Sequence, residues 1–410
     1  MDPRKNPYAP GAGLQPPELA GRNELLQQAD VAMDRVLARR PTRGMMLLGL
    51  RGVGKTVLLN RLKRTAESKG FHAAKIESPE SGDLPQQIAP ELRRIIYDID
   101  VMAAAAKKAR EAVGALVNFI SAFKVKVGEI EFGIEPKTGV ADTGILAQDL
   151  PQLLVAVGEV AAEAKTAVAL FIDEVQYLST EELTALIIAA HEVSQKELPM
   201  WIVGAGLPQT AALAGNAKSY AERLFSYPEV GALDPKAAKE ALVKPAKANS
   251  VEYTEEAIEK ILDVTECYPY FLQEWGAHVW DFAQESPIKG DDVDNVMDKV
   301  IHHLDKNFFR VRFDRLTPLQ QKYMRAMAEL GPGPHKTGDI AAVLGVRPSS
   351  VSVTRQQLIE KGMIWSQRHG ETAFTVPMFD SFMRRQMPLE KHVPKQKPAA
   401  KKGKTSDDKF

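Results

Sequence analysis

A glycine-rich segment near the start of the chain has the residue types and spacing of a phosphate-binding loop. It reads Gly49-Leu-Arg-Gly-Val-Gly-Lys-Thr56 and matches the Walker A pattern G-x-x-x-x-G-K-[ST] at every position. Glycines let successive backbone N–H groups point into one concavity, and a following helix adds its unpaired N–H groups and the positive end of its dipole. The residues expected to bind the phosphates of ATP are Gly49, Leu50, Arg51, Gly52, Val53, Gly54, Lys55 and Thr56.

The last two residues of this loop carry chemistry that backbone amides cannot supply. The ammonium of Lys55 can reach the β- and γ-phosphates as a point charge, which gives it a catalytic role, and the Thr56 hydroxyl can ligate Mg²⁺. The alternative is a glycine-rich turn that matches by chance. Such a turn would need neither the lysine nor the hydroxyl, so the pattern favours a site for ATP and Mg²⁺.

Two adjacent carboxylates provide a second signal, independent of the first. An apolar run at 167–172 ends abruptly in Asp173 and Glu174, which is the form of a Walker B segment. Acids that follow a parallel strand face the crevice where ligands bind in open α/β sheets. An isolated Asp-Glu pair is more often a helix cap. Beside a phosphate loop, Asp173 is predicted to hold Mg²⁺ and Glu174 to polarise the attacking water, which makes the chain an ATPase.

Hydrophobic patterns place both motifs in a parallel sheet. Short apolar runs alternate with segments of helical spacing, as in sheets that are covered on both faces. The runs lie at 45–49, 71–76, 167–172 and 200–203. The predicted fold class is an α/β P-loop NTPase. Strict alternation at 123–135 predicts a β-hairpin, which together with a helix before it forms an insertion at 100–145.

Changes in pattern divide the chain into five segments. Strand patterns stop near Leu233, and Asp234-Pro235 has the form of a helix start, with an acidic N-cap and proline in the first turn. Helical patterns then continue and predict an α-helical lid. The predicted organisation is an extended lead-in at 1–20, the ATPase domain at 21–233, the lid at 234–308, a winged helix-turn-helix at 309–388 and a disordered basic tail at 389–410.

The winged-helix prediction rests on a helix, a turn at Gly345 and a new helix start, as in helix-turn-helix units. In the second helix, Val351, Thr354 and Leu358 share a face and are predicted to point inward. The candidates for DNA contact are the outward residues Ser349, Ser350, Ser352, Arg355 and Gln356, with Arg368 at the tip of the wing. The alternative is that this unit packs on a protein or on its own ATPase domain.

Charge is distributed unevenly, although the formal net charge of the whole chain is zero. Residues 306–410 contain 20 Lys and Arg against 9 Asp and Glu, so the remainder of the chain is acidic. This asymmetry favours contact between the C-terminal part and a polyanion such as DNA, to which the lysine-rich tail would add salt-sensitive affinity. The alternative is a solvated tail.

Composition excludes several classes of protein. Cys267 is the only cysteine, which excludes an intramolecular disulfide framework and a cysteine-rich zinc site and fits a reducing compartment. No apolar run is long enough to span a membrane, and the first residues lack the apolar core of a secretory signal. We expect a cytoplasmic protein without a membrane partner. His302-His303 is predicted to be a helix face rather than a metal site, because it has no partner at ligand spacing.

The order of these segments resembles a known family. Gly21-Arg22-Asn-Glu, the phosphate loop, Asp173-Glu174-Val-Gln-Tyr-Leu, a lid and a winged helix are similar in sequence to AAA+ ATPases of the origin-recognition (Cdc6-like) group. They also resemble the STAND signalling ATPases. The resemblance implies that Arg22 lies near the nucleotide base, where the alternative is an exposed arginine. It also implies that Arg223 acts in trans on a neighbour in a homo-oligomer, where the alternative is a helical ion-pair residue.

Two departures from the family bear on turnover. The family places a polar sensor at the end of the fourth strand, but Met200-Trp-Ile-Val-Gly204-Ala-Gly206 offers none. A sensor arginine is also missing from the lid, which reads Cys267-Tyr-Pro-Tyr270 at that place. The resemblance with these departures implies slow hydrolysis. We expect an ATP-dependent switch that acts on DNA through its winged helix; the alternative is a STAND-type regulator whose winged helix is an internal brake and whose partner is a protein effector.

Overall fold

The computed structural model describes residues 1–11, 13–100, 106–126, 139–366 and 370–388. The basic tail, Arg368 and most of the predicted hairpin lie outside the described residues, and residues 123–126, where that hairpin was expected to begin, form no strand. None of the helices in these ranges is long and apolar enough to cross a membrane.

A parallel sheet of five strands forms the centre of the N-terminal half, in the order β2-β3-β4-β1-β5. The strands are β1 (Gly44–Leu48), β2 (Phe71–Glu77), β3 (Ala167–Asp173), β4 (Met200–Gly206) and β5 (Phe225–Ser226). The first four confirm the predicted strands. β5 is too short to leave a hydrophobic pattern, and it pairs with the first residues of β1.

Both faces of this sheet are buried, which explains its continuous apolar strands. Met45 and Leu47 face a core that includes α1 and α2, whereas Met46 and Leu48 face a core built from α3, α4, α5 and α6. The helices are α1 (Asn23–Leu37), α2 (Lys55–Ser68), α3 (Leu84–Asp100), α4 (Ala106–Ala122), α5 (Leu146–Glu163), α6 (Thr180–Gln195), α7 (Thr210–Ala217) and α8 (Ala221–Leu224). The described part of the insertion thus contributes α4 to the second core.

Helices alone follow the sheet. They are α9 (Pro235–Ala248), α10 (Glu255–Thr265), α11 (Pro269–Phe282) and α12 (Gly290–Leu304), then a π-helical turn (Asp305–Phe309) and α13 (Arg310–Phe313). Asp234 caps α9 as expected, since its carboxylate accepts hydrogen bonds from the N–H groups of Lys236 and Ala237 at 3.0 Å. We call α9 to α12 the lid.

The C-terminal unit combines helices with a small antiparallel sheet in the order β6-β8-β7. Its elements are α14 (Pro318–Glu329), β6 (His335–Lys336), α15 (Thr337–Leu344), a 3-10 turn (Pro348–Val351), α16 (Ser352–Glu360), β7 (Ile364–Trp365), β8 (Glu371–Phe374) and α17 (Phe379–Gln386). Gly345 adopts a left-handed conformation, with φ of 67°, after α15. Val351, Thr354 and Leu358 are buried, which confirms the predicted inward face.

A row of aromatic rings connects the lid with the C-terminal unit through the π-helical turn. Tyr270 of α11 stacks on Phe308 with ring centroids 4.7 Å apart, and Phe308 meets Phe309 at 5.2 Å. Phe309 stacks on Phe382 of α17 at 5.3 Å. Since such pairs add stability beyond their buried area, the row fixes the C-terminal unit against the lid.

The N-terminal residues pack on the lid instead of remaining a loose lead-in. The buried ring of Tyr8 lies against α11, and its hydroxyl donates to the carbonyl of Leu242 at 2.6 Å. Asn6 donates from its amide to the carbonyl of Ala277 at 3.0 Å. We call residues 1–11 the N-terminal strap. The ring of Tyr8 has room because residue 276 is glycine: a Cβ there would lie 2.7 Å from the Tyr8 ring.

Gly276→Ala is expected to loosen the strap. Alanine normally stabilises a helix relative to glycine, but here the added methyl must displace Tyr8, at a cost of about 1–3 kcal/mol. We expect a lower thermal midpoint and faster tryptic cleavage after Lys5.

Gly215→Ala in α7 is the matched control, since a Cβ there meets nothing within 4 Å. It should leave the strap protected and stabilise the protein by up to about 1 kcal/mol. Equal cleavage of the two variants would contradict the role given to Gly276.

Candidate functional site

The glycine-rich loop lies between β1 and α2, at the carboxyl edge of the sheet. Its conformation requires its glycines. A Cβ on Gly49 would lie 2.1 Å from the carbonyl oxygen of Val230, and Gly52 and Gly54 have left-handed φ angles of 85° and 94°. The loop with these glycines therefore fits the cradle of amides that a phosphate chain requires.

Lys55 begins α2 and is buried, with its ammonium turned back over the loop. Its Nζ donates to the carbonyls of Gly49 at 2.9 Å and Leu50 at 2.8 Å. Burial lowers the pKa of Lys55 to about 8, against the opposing effect of the carboxylates of Glu174 and Asp173. The side chain thus carries its charge at neutral pH, at the place where phosphates would lie.

The two acids stand where β3 ends, as predicted. Asp173 is buried, and its carboxylate accepts a hydrogen bond from the N–H of Glu174 at 3.1 Å and lies 3.4 Å from Nζ of Lys75. Glu174 has a left-handed φ of 53°, which turns its side chain away from the strand direction into the cavity beside Lys55 and Thr56. Carboxylate and hydroxyl oxygens are the ligands that Mg²⁺ prefers, so this donor set fits the ion.

Gln176 supplies a polar group at the end of β4, where the strand itself has none. Its amide oxygen accepts from the N–H of Leu207 at 3.0 Å, and its amide nitrogen donates to the carboxylate of Glu174. A Cβ on Gly206 would lie 3.1 Å from the Gln176 oxygen. The glutamine thus joins the end of β4 to Glu174. Sequence reasoning missed this role; the available signal was a polar residue two positions after Glu174.

A cavity of about 460 Å³ opens beside the loop, within the range of roughly 300–1,000 Å³ that small-molecule sites occupy. Residues of the strap and the segment after it, the phosphate loop, α11 and the π-helical turn line it together. The N-terminal residues, the phosphate loop and the helical region after the sheet therefore enclose one site.

Arg22 lies in the wall of this cavity and is half-buried. Its Nη2 donates to the carbonyl of Gly231 at 2.5 Å and lies 3.4 Å from the carbonyl of Val53. Burial lowers its pKa. The alternative of an exposed arginine is therefore wrong, and the guanidinium joins the phosphate loop to the segment that leads to the lid.

A second arginine, Arg312 of α13, lines the cavity from the opposite side. Its guanidinium lies 3.9 Å above the ring of Phe308 and donates to the carbonyl of that residue at 2.6 Å. Burial, followed by the nearby guanidinium of Arg51, lowers the pKa of Arg312 to about 10, so it remains charged at neutral pH. Nothing in the local sequence marked Arg312, because it lies far beyond the lid position where an arginine was expected.

Arg223 is not brought to the phosphate loop of its own chain. It is exposed on α8, near the amino end of β1, and lines a separate cavity of about 330 Å³ together with Arg39 and Arg40. Within the described residues it forms no ion pair. A role in the site of a neighbouring copy remains a prediction.

The structure separates the candidates for DNA contact. Ser349, Ser350, Ser352 and Gln356 are exposed, as predicted. Arg355 was predicted to point outward, and this is wrong: it is half-buried, with its Nη2 donating to Ser366 Oγ at 2.9 Å and to the carbonyl of Glu371 at 3.3 Å. Groups at the ends of β7 and β8 thus accept the hydrogen bonds of its Nη2. Arg368 lies outside the described residues.

The C-terminal unit lies directly on the phosphate loop. A Cβ on Gly362 would be 3.0 Å from Nη2 of Arg51 and 3.2 Å from Cδ1 of Leu207. Beside this contact, Arg315 pairs with Glu80 at 3.2 Å, and Lys361 donates to the carbonyl of Arg315 at 2.8 Å. Arg51 also donates to the Tyr177 hydroxyl.

Two family models match parts of the chain. Residues 18–203 match the AAA ATPase domain, and residues 306–383 match a domain of unknown function (DUF8462). A search of curated protein sequences finds no match.

Solved structures with the same fold include the Walker-type ATPase PABY2304 of Pyrococcus abyssi, at 16% identity over 90% of this chain and 97% of that chain, with a TM-score of 0.55. A weaker likeness is found to the RuvB Holliday junction branch migration motor of Thermotoga maritima, at 17% identity over 88% and 96%, with a TM-score of 0.45. Cdc6p from Pyrobaculum aerophilum follows at 16% identity over 94% and 99%, with a TM-score of 0.44. At these identities the likeness concerns the fold alone.

The sheet order, the phosphate loop and the matched family model agree on the class of protein. The chain has the α/β P-loop NTPase fold of AAA+ proteins, with a helical region after the sheet. The match to the AAA ATPase domain covers residues 18–203, which include the phosphate loop and the two acids after β3.

The pKa of Lys55 predicts how binding of MgATP depends on pH. Below about 8 the amine is charged and attracts phosphate; above that value it must take up a proton before it can do so. Calorimetry in two buffers of different ionisation enthalpy should show up to about one proton taken up near pH 9 and almost none at pH 7, and affinity should fall by at most about tenfold per pH unit above 8.

Lys55→Arg keeps its charge through this range, so any MgATP binding that it retains should not depend on pH between 7 and 9. Proton uptake by the wild type that is the same at both pH values would contradict the assignment.

Proposed function

We propose that this protein is an ATP-binding, slowly hydrolysing switch ATPase whose C-terminal unit, a winged helix, docks on its own phosphate loop. The observation that carries this proposal is the passage of Gly362 over Arg51, a residue of the loop itself. A change in the loop on nucleotide binding would act on the docked unit through this contact.

In this proposal the loop amides and Lys55 hold the β- and γ-phosphates. Thr56 and Asp173 hold Mg²⁺, which neutralises charge that develops on the phosphates. Glu174 orients the attacking water, and Arg312 adds a positive charge from the junction between lid and C-terminal unit. Arg22, in the cavity wall, would lie near the base of the nucleotide.

Slow turnover follows from the environment of Glu174. Its carboxylate accepts a hydrogen bond from Gln176, which is held in turn by the N–H of Leu207. A carboxylate that is engaged in this way is a weaker acceptor for a water proton, and its side chain must reorient before it can activate water.

The same proposal includes the domain bounds, the role of Arg223, the location of the protein and its partner. The domains are the lead-in at 1–20, the ATPase domain at 21–233, the lid at 234–308, the winged helix at 309–388 and the basic tail at 389–410. Arg223 serves the site of a neighbouring copy in a homo-oligomer, because its exposure and its distance from its own loop suit action in trans. The protein acts in the cytoplasm. With the C-terminal unit docked on the phosphate loop, its partner is a protein effector.

Gly362→Gln is expected to undock the C-terminal unit, since a Cβ there would already lie 3.0 Å from Arg51 Nη2 and the longer side chain must displace Arg51 and Leu207. Release of the loop should raise the rate of ATP hydrolysis by about fivefold or more, the lower end of typical coupling between two sites. Hydrolysis is measured by phosphate release at saturating MgATP, with Glu174→Gln as the variant that defines the background.

Gly345→Gln is the matched control. Residue 345 has nearly the same left-handed φ, 67° against 63°, but a Cβ there meets nothing within 4 Å. The control should cost similar backbone strain and leave turnover unchanged. A rate for Gly362→Gln that matches this control, or falls below it, would count against docking as a brake.

A second function, action on DNA, is favoured by the exposed polar side chains of the 3-10 turn and α16. Ser349, Ser350, Ser352 and Gln356 form a surface that a groove could accept. Against it, the same surface includes Val353, whose exposed fraction is 69%, and Arg355 is turned into the wing.

Electrophoretic shift at low salt tests the DNA function. If α16 contacts DNA, then Ser352→Glu together with Gln356→Glu should weaken binding by about tenfold or more in the presence of MgATP, through repulsion of phosphates. Val343→Glu on α15 adds one negative charge, half of that added on α16, and serves as the control. No shift for the wild type, with or without MgATP, would exclude this function.

A further inference from the structure

Three side chains of the lid meet one helical turn away from the nucleotide cavity. Glu274 and His278 lie on α11, and His303 lies in the last turn of α12. Oε2 of Glu274 is 3.7 Å from Nε2 of His278 and 3.9 Å from Nε2 of His303. The potential ligand atoms of all three residues lie within 4.8 Å of one another.

Local structure explains why these residues converge. Glu274 and His278 are four residues apart, so α11 presents both on one face. α12 packs on α11 and brings the His303 ring to the same place, with the centroids of the two imidazoles 5.0 Å apart.

The carboxylate of Glu274 is buried, with only 3% of the residue exposed. Its Oε1 accepts a hydrogen bond from the Tyr270 hydroxyl at 2.6 Å, whereas Oε2 faces the two imidazoles. Burial raises the pKa of Glu274 and lowers that of His278. The buried carboxylate thus faces two imidazole rings, and three potential metal ligands converge on one point.

We propose that Glu274, His278 and His303 form a site for a divalent transition metal ion of the zinc class. Two imidazoles and one carboxylate are a donor set that such ions take in proteins, with a further position open to water or another ligand. Bonds of about 2.0–2.1 Å place tetrahedral ligands about 3.4 Å apart, so the ligand atoms, now within 4.8 Å of one another, would have to approach by up to about 1.4 Å through side-chain rotation. The partly exposed edge of His303 provides the path of entry.

Two further residues contact the proposed ligands and can orient them. Tyr270 holds the far oxygen of the carboxylate. Asn307 has its amide nitrogen 3.2 Å from Nδ1 and 3.4 Å from Nε2 of His303, so it lies beside the ring and must turn to leave Nε2 free. With the amide oxygen turned to Nδ1 instead, the His303 ring carries its proton there and leaves Nε2 to the metal.

The same two residues connect the metal site with the nucleotide cavity. Tyr270 and Asn307 both line that cavity, and Tyr270 stacks on Phe308, which lies under Arg312. Metal bound between α11 and α12 would therefore fix Tyr270 and the π-helical turn. This coupling rests on the proposed function, whereas metal binding itself does not.

The sequence-based expectation for His302-His303 is corrected in part. His302 is exposed, as a helix face requires, but His303 has two potential partners from another helix. The missed signal was the spacing of Glu274 and His278, which places a carboxylate and an imidazole on one helical face.

The experiment is equilibrium dialysis of the untagged, full-length protein against Zn²⁺, without nucleotide, with metal content read by mass spectrometry. We expect one equivalent for the wild type. His278→Ala and His303→Ala should each weaken binding by about tenfold or more, and Glu274→Gln should do so with little change of shape. His302→Ala is the matched control and should bind like the wild type.

Two further readouts separate loss of a ligand from loss of fold. Co²⁺ should give visible absorption bands with the wild type and His302→Ala, without the thiolate charge-transfer band that Cys267 would produce. Zn²⁺ should raise the thermal midpoint of these two proteins and leave Glu274→Gln unchanged.

The proposal is overturned if the wild type binds no metal, if the double variant His278→Ala/His303→Ala keeps its equivalent, or if His302→Ala loses as much affinity as His303→Ala. Because the assay contains no nucleotide, failure of MgATP binding would leave its result unaffected. A nucleotide arm then tests coupling: saturating Zn²⁺ should change the affinity for MgATP in the wild type and not in Glu274→Gln.

Discussion

The burial of one ammonium group organises this molecule. The ammonium of Lys55 is held against the loop by two carbonyl oxygens, and burial disfavours its charge. Negative charge bound at the mouth of the loop would offset the free-energy cost of burying this charge. Glycines 49, 52 and 54 make the loop that imposes this position. The strap and the lid line the cavity beside this loop. The C-terminal unit meets the loop at Arg51, through Gly362.

The lid and the C-terminal unit do not contact the loop independently. Tyr270 lies in the cavity wall and begins a row of stacked rings that ends at Phe382, inside the C-terminal unit. Arg312 packs on Phe308, one of these rings, and its side chain also lines the cavity. A displacement of the lid would therefore move a cation in the cavity wall and a hydrophobic anchor of the C-terminal unit together, because close-packed rings transmit strain.

Local patterns in the sequence were sufficient for the sheet and the loop, because buried strands and glycine-rich turns are specified by adjacent residues. They were insufficient for side chains whose partners come from other elements. Gln176 and Arg312 reach the site only through the fold. Arg355 was placed correctly on its helix but donates to Ser366 at the end of β7, a contact that helical periodicity cannot anticipate. Glu274 and His303 are distant in sequence and meet only because α11 and α12 pack together.

The π-helical turn at Asp305–Phe309 gives this architecture a mechanical property. Such a turn accommodates one more residue than an α-helical turn of the same length. Conversion to regular α-helix would expel that residue and rotate everything downstream by about 100°, with an axial shift of about 1.5 Å. Phe309 and Arg312 would then no longer face the C-terminal unit and the cavity. A change of helical register by one residue within this five-residue turn would thus change the orientation of the whole C-terminal unit relative to the lid.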